Sequence, residues 1–297
     1  MKKLVYDVGA SAIKYALMDN DGNIYEKDKV TTPHDCLESF IDVLKNIYKK
    51  YVADIDGIAL SLPGTIDSKT GQIYAPGGLI YNENVNIVEQ MHSFTSLNIA
   101  IENDGKSAAL AEVWKGNLKN CQDGIVIVVG SGLGGGIIKD GKLWKGKHLF
   151  AGEFSYVLQD ELKNFYESVW AVKGSTTALI TKVAQKKQCD MSTLDGIKIF
   201  DMISQDDDIA KEALREVASS LTRGIYNLQC ILDPEKILIG GGISQQPLLL
   251  QMIKEELDKI YEKIPFDIPH AMIENCYYYN DANLIGALYN YLMMYSK

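Results

Sequence analysis

The sequence predicts an α/β protein built on a duplicated unit. Two glycine-rich turns each follow an apolar strand and lead into a second strand and a hairpin, and Ile101-Glu102-Asn103-Asp104 lies between them. Lys3 to Asp7 reads as the first strand, with the turn Gly9-Ala10-Ser11 after it and Ala16-Leu17-Met18 as the return. Asp19-Asn20-Asp21-Gly22-Asn23 then closes a hairpin, because Asp-Gly and Asn favour positive φ. Ile24 to Val30 is the next strand. Leu37, Phe40, Ile41, Leu44, Ile47, Tyr48 and Tyr51 recur at helical spacing. Ile58 to Leu62 is a buried strand ending at Pro63-Gly64, and Asn98 to Glu102 is another, followed by a helix over Gly105 to Trp114.

The second half repeats the order. Gly124 to Gly130 is a strand, the glycine turn runs to Gly136, Ile137-Ile138 continues, and Lys139-Asp140-Gly141-Lys142 is a hairpin. A long helix over Asp208 to Leu232 carries Leu214, Val217, Leu221, Ile225 and Leu228 on one face, and Asp233-Pro234 stops it. Lys236 to Ile239 is a strand ended by Gly240-Gly241-Gly242, and Pro247 to Lys263 and Ala282 to Tyr295 are helices. Two unrelated α/β domains would give the same pattern. In either case the cleft between the halves is the default binding site.

The chain has 297 residues, a prior of about two domains, and at that length roughly three quarters of the unfolded surface is buried without staples. A net charge of −9 argues against a nucleic-acid partner. It leaves room for an anionic nucleotide, since backbone amides, helix N-termini and Mg²⁺ supply local positive potential. Cys36, Cys121, Cys189, Cys230 and Cys276 are too scattered for zinc spacing and read as buried thiols of a cytoplasmic protein. The start reaches a charge too soon for a signal peptide, and no run approaches the 18 or so apolar residues of a membrane span.

Glycine lets backbone N–H groups crowd an anion because no Cβ intrudes, and successive N–H groups in such turns form anion-binding concavities. Two such turns flanking a carboxylate point to phosphoryl transfer, with phosphates on one side and a base on the other. Each feature has a plainer reading alone: Gly130 to Gly136 as a flexible hairpin, Asp7 as a turn residue, Asn103-Asp104 as a helix N-cap. Neither turn is a Walker loop or a Rossmann fingerprint, because each leads into a strand rather than a helix. His34, His92, His148 and His270 read as surface or loop residues. Trp114, Trp144 and Trp170 read as packing, Tyr277-Tyr278-Tyr279 as strand packing, and Asp206-Asp207-Asp208 as a solvated helix start.

Over essentially its whole length the chain resembles the ROK family (repressor, open reading frame, kinase). Asp7 to Lys14 resembles its first phosphate motif, with Ala10 in place of a glycine and Ser11 in place of a threonine. Glu102-Asn103-Asp104 with Ala108-Ala109 and Glu112 resembles the catalytic motif. Gly130 to Gly136 with Asp140-Gly141-Lys142 and Gly146 resembles the second phosphate motif, and Ala151-Gly152-Glu153 a sugar-binding motif. Asn227, Leu232-Asp233-Pro234 and Ile239 to Ser244 resemble the adenosine-side motif. The family's cysteine-rich zinc motif is absent, so no zinc site is expected, and Tyr156 stands where the family has a histidine. Glu167 is the nearest candidate for a second family glutamate.

The resemblance implies a duplicated actin-like, hexokinase-like (ribonuclease H-like) two-domain fold with a central cleft. Residues 1–115 would form the N-terminal domain, with the helix 282–297 packed back on it, and 116–281 the C-terminal domain. It implies a sugar kinase using ATP and Mg²⁺, with Asp104 as catalytic base and Asn103, Glu153, Tyr156 and Gly64 on the sugar. Asp7, Gly9, Ala10, Ser11, Lys14, Gly130, Ser131, Gly132, Gly134, Gly240, Gly241 and Gly242 would lie along the nucleotide, Asp7 meeting Mg²⁺ through water. Ala10 would weaken nucleotide binding if positive φ were needed there. The missing zinc motif and Tyr156 resemble the β-glucoside kinase branch, whose substrate is the 6-hydroxyl of a β-linked glucoside such as cellobiose. Glucokinase, fructokinase and N-acetylhexosamine kinase are the alternatives, and a non-catalytic sugar-binding regulator is the alternative from another class. The regulators of the family carry an N-terminal helix-turn-helix, for which the motif at residue 7 leaves no room. No membrane partner is expected, and family habit implies a homodimer.

Overall fold

The computed structural model describes residues 1–162 and 164–296. In chain order the first part comprises β1 (Lys2–Val8), β2 (Ala12–Met18), β3 (Ile24–Thr31), α1 (Leu37–Tyr51), β4 (Ile55–Leu62), β5 (Thr65–Asp67) and β6 (Gln72–Ala75). α2 (Ile87–Met91), β7 (Asn98–Asn103) and α3 (Asp104–Lys115) follow. Next come β8 (Gly124–Val129), β9 (Leu133–Lys139), β10 (Lys142–Trp144), α4 (Phe165–Ser168), α5 (Ala171–Gly174), α6 (Thr176–Lys187) and α7 (Gly196–Ser204). α8 (Asp208–Leu232), β11 (Lys236–Gly240), α9 (Pro247–Tyr261), β12 (Ile273–Asn275) and α10 (Ala282–Tyr295) complete the chain. Residue 297, inside the expected terminal helix, lies outside the described residues.

The chain divides into two compact units. One holds Met1–Lys119, Lys145–Ala151 and Asp281–Lys297, and the other Asn120–Trp144 and Gly152–Asn280. This differs from the expected division, which placed residues 116–119, 145–151 and 281 with the second half. The backbone N–H of Gly116 and of Leu118 still donate to Glu112 O, so the tail of α3 stays with its helix. Lys145 is held by Glu102 of β7.

Each unit has a five-stranded sheet of the same topology, ordered β3-β2-β1-β4-β7 in the first and β10-β9-β8-β11-β12 in the second. In both, the first three strands of the chain are antiparallel neighbours and the last two add in parallel. Parallel neighbours need crossovers and cover on both faces, which explains why β1, β4, β8 and β11 read as nearly continuous apolar runs. Side chains alternate across a strand. In β1, Leu4, Tyr6 and Val8 join the cluster that also contains Phe40, Leu44 and Ile47 of α1. The alternate set, Lys3, Val5 and Asp7, faces the other way. There Lys3 lies over the Tyr291 ring of α10 and Asp7 accepts from Asn283 of the same helix. A Leu or Phe buried as these are contributes about 1.5–3 kcal/mol.

α10 packs tightly on the first unit. A Cβ on Gly286 would fall 1.7 Å from Ser107 O of α3, and one on Gly57 would fall 2.1 Å from the Tyr291 hydroxyl. Trp114 stacks on Tyr289 with ring centroids 5.2 Å apart. In the second unit the fully buried Trp170 occupies the space above Gly224, in the middle of α8. Three packing expectations fail. Trp144 is 44% exposed, on the short β10. Tyr277 to Tyr279 are not strand residues, because β12 ends at Asn275 and the chain turns there, leaving Tyr277 exposed. Of the five free thiols, only Cys276 is buried.

Candidate active site

Glu102-Asn103-Asp104 sits where β7 hands over to α3. Asn103 caps the helix, its Oδ1 accepting from Lys106 N at 3.0 Å. The N-cap reading of this residue is therefore correct, but it is only part of the role. Asn103 Nδ2 donates to Gly64 O at 3.0 Å and to Asp104 Oδ1 at 3.0 Å, and Gly105 N donates to the same Asp104 oxygen at 2.8 Å. Both amide hydrogens of Asn103 are thus spent on the protein, which makes it the splint of Asp104. Gly64 presents its carbonyl from a turn with φ +109°, where a Cβ would meet Ala75 O at 2.2 Å. The turn itself demands this glycine. Along Glu102-Asn103-Asp104 exposure rises in steps: Glu102 is 1% exposed, Asn103 6%, and Asp104 half-buried.

The sequence places Glu102 in the motif but carries no local sign of its partners, which come from distant parts of the chain. Its Oε1 accepts from Asn103 N at 2.9 Å, and its Oε2 from Ser68 Oγ at 2.8 Å and from Lys145 Nζ at 2.5 Å.

The first glycine turn joins β1 to β2. Gly9 N donates to Ala12 O at 3.0 Å, closing the turn, and Thr32 ties it to the end of β3 by donating to Gly9 O and Ser11 O at 2.7 and 3.2 Å. Ala10 and Ser11 are exposed at its tip. Ala10 does not adopt positive φ, so its methyl group carries none of the backbone cost expected of it. Beneath the turn Asp7 is 4% exposed, with Lys14 Nζ at 3.2 Å from Oδ2 and Asn283 Nδ2 at 2.9 Å from Oδ1.

The second turn joins β8 to β9. Gly130 N donates to Gly132 O at 3.0 Å, and Gly130 O accepts from Thr176 N, the first residue of α6, at 2.9 Å. Ser155 braces it from the other side: its Oγ accepts from Leu133 N at 3.0 Å and donates to Leu133 O at 2.9 Å. Ser131 is exposed at the tip. A cavity of about 470 Å³ opens beside it, walled by Tyr166, Ser175, Thr177 and Lys182. In β9 the next residue, Gly134, pairs with Val128. It is Gly135, at φ +155°, that no other residue would replace, since a Cβ there would lie 2.0 Å from Val126 O.

Glu153 is half-buried and precedes a short turn of helix over Phe154–Tyr156. Tyr156 is 52% exposed and packs against Phe165, ring centroids 6.3 Å apart. Glu167 is exposed on the four-residue α4. At the end of β11 the three glycines differ. Gly241 has φ +92° and a Cβ there would sit 2.2 Å from Val129 O, and Gly240 lies against Cys276 Sγ. Close packing within the protein explains these two. A Cβ on Gly242 would meet nothing within 4 Å.

Among the described residues no group of three or more His, Cys, Asp and Glu side chains is assembled to hold a metal ion. A single carboxylate suits Mg²⁺ brought in on phosphates, because that ion keeps several waters and needs only one or two protein oxygens. Asp7, buried and already paired with Lys14 and Asn283, is the carboxylate beneath the first glycine turn that such an ion could meet through water. Among the described residues no helix is long and apolar enough to cross a membrane.

The sequence and the fold have counterparts. A β-glucoside kinase of Listeria innocua is 31% identical over 98% of this chain and 98% of its own. A β-glucoside kinase of Klebsiella pneumoniae is 29% identical over 99% and 97%. The crystal structure of a ROK family protein from Streptococcus pneumoniae in complex with sucrose superposes with a TM-score of 0.88, at 29% identity over 99% of both chains. The ROK family model matches residues 4–292, and with the two glycine turns and Glu102-Asn103-Asp104 in the places described, the chain belongs to the ROK family.

Proposed function

We propose that this protein is an ATP-dependent sugar kinase that phosphorylates the 6-hydroxyl of a β-glucoside such as cellobiose, with Mg²⁺ accompanying the nucleotide. The observation that carries the reading is Asp104: a half-buried carboxylate at the start of a helix, oriented by two hydrogen bonds and backed by buried residues. A kinase needs such a group to accept the proton of the attacking hydroxyl. The sugar oxygen forms its bond to the γ-phosphorus, the bond from that phosphorus to the bridging oxygen breaks, ADP leaves, and the proton passes to Asp104. Asn103 holds Asp104 in place, and Glu153 and Tyr156 are assigned to the sugar. The exposed backbone around Ala10 and Ser131 is assigned to the phosphates, and Asp7 to water on Mg²⁺. When bound, that ion neutralises charge on the phosphoryl group in flight.

The β-glucoside preference draws its support from the two β-glucoside kinase relatives and from Tyr156. An aromatic face half open to solvent suits a sugar ring or aglycone better than a closed metal site would. A homodimer belongs to the reading on family resemblance, and light scattering on the purified protein tests it. The reaction is tested by coupled ADP release with Mg-ATP against cellobiose, gentiobiose, methyl β-glucoside, glucose, fructose and N-acetylmannosamine. Turnover on β-glucosides above glucose is the expected result. Turnover on a free hexose alone would keep the kinase and reject the β-glucoside preference, and turnover on none would reject both.

A further inference from the structure

We propose that Lys145 is a positioning residue for the catalytic loop, acting on Asp104 through Glu102 and Asn103. The inference rests on the kinase reading for its consequence, but its geometry stands independently. Lys145 begins the segment Lys145–Ala151, which belongs to the first unit although the chain on both sides of it belongs to the second. The segment is closed by Ala151 N donating to Lys145 O at 3.0 Å, with Gly146 at φ +70° making the bend. From this loop the Lys145 ammonium reaches Glu102 Oε2 at 2.5 Å and also donates to Ser68 Oγ, whose own hydrogen goes to the same carboxylate oxygen. The three groups form a closed ring of charge-assisted hydrogen bonds.

Burial decides what the ring is for. The Glu102 side chain is 1% exposed and that of Lys145 20%. A carboxylate that deep is costly unless paired, and Lys145 is the cation that pairs it. With Oε2 held, Oε1 is aimed at Asn103 N at 2.9 Å and fixes the peptide between the two residues. Asn103 then holds Asp104 Oδ1 through Nδ2. The series Lys145 to Glu102 to Asn103 to Asp104 is continuous, with every link at 3.0 Å or less. None of the first three is a catalytic residue, because none is assigned to the reacting atoms; Lys145 and Glu102 set where Asp104 stands. The loop that Lys145 pins leads directly into Gly152-Glu153, so one side chain sets the catalytic carboxylate and anchors the chain entering the sugar motif.

The test compares wild type with Lys145→Met, Lys145→Arg and Ser68→Ala. Two readouts are used, kcat and KM for sugar and Mg-ATP, and hydrogen exchange at the Asn103 amide by NMR. Misplacement of a catalytic group by about 1 Å costs on the order of 10²-fold. The expected result for Lys145→Met is therefore a loss of about 10- to 100-fold in kcat, with KM for Mg-ATP within about 2-fold. Exchange at Asn103 should be faster, and Lys145→Arg should restore both. Ser68→Ala keeps the ion pair and removes one hydroxyl, so it gives a smaller change of the same sign and serves if Lys145→Met does not fold. Unchanged kcat and unchanged Asn103 exchange in Lys145→Met, or in Ser68→Ala if that variant alone folds, would overturn the proposal. If wild type phosphorylates no sugar, the kinase reading fails, and Asn103 exchange alone still decides whether Lys145 positions the loop.

Discussion

The two units repeat one strand topology but stabilise their glycine turns by different means. In the first, Thr32, the residue immediately after β3, ties down the turn at Gly9 and Ser11. In the second, Ser155 makes two hydrogen bonds to Leu133, and α6 adds Thr176 against Gly130. The charge differs too. Asp7 pairs with Lys14 across β1 and β2, while the matching place across β8 and β9 holds Val128 opposite Gly134. Only the first unit continues its last strand directly into a helix that opens with a carboxylate, Asp104. The two units share a strand topology and differ in side chains: the first carries the Asp7–Lys14 pair and the Asp104 carboxylate, the second a turn braced by Ser155 and Thr176.

Substitutions sharpen this contrast, the largest effect first. Asp104→Asn should lower kcat by about 10²–10⁴-fold while sugar binding, measured by calorimetry, persists; retained turnover would remove Asp104 from its role and with it the asymmetry between the units. Gly241→Ala comes next. Its φ of +92° and the 2.2 Å approach to Val129 O should cost about 1–3 kcal/mol or more, read as a fall in thermal midpoint. Gly9→Ala has no positive φ to overcome, but its Cβ would press on the backbone oxygen of Ala12 at 3.3 Å, closer than an ordinary contact, and should lower the thermal midpoint by less than Gly241→Ala does.

Smaller effects separate the two braces. Removing Ser155 loses two hydrogen bonds, each worth about 0.5–1.5 kcal/mol. Ser155→Ala should therefore raise KM for Mg-ATP by roughly 5-fold, and by no more than about 150-fold. Thr32→Val loses one side-chain bond and should raise it less, and the reverse order would show that the first turn depends more on its brace. Ala10→Gly should change KM for Mg-ATP by less than about 2-fold, because Ala10 already sits in a conformation open to any residue. A large gain would mean that the methyl group, rather than the backbone, obstructs the nucleotide.

Much of this molecule is legible in the chain. The end of α8 at Leu232, the hairpin at Asp19–Asn23 and the handover from β7 to α3 all follow from patterns spanning a few residues. Local rules suffice there, because a turn or a cap is decided by neighbours in sequence. The Tyr277-Tyr278-Tyr279 run misled for the same reason: tyrosines favour strands, but β12 ends at Asn275 and leaves no strand partner beyond it.

The sequence by itself determined the two strand-and-turn repeats, the helix that starts at Asp104, and the residue types that phosphoryl transfer needs. Only the tertiary structure decided how those residues are held. Asn283 on Asp7, Ser155 on Leu133, Gly64 on Asn103, and Ser68 with Lys145 on Glu102 are all pairings between distant parts of the chain. A hydrogen bond or ion pair needs only closeness in space. Which serine or lysine comes near a given carboxylate is set by strand order and helix packing, and neither leaves a local signature at the residues that meet.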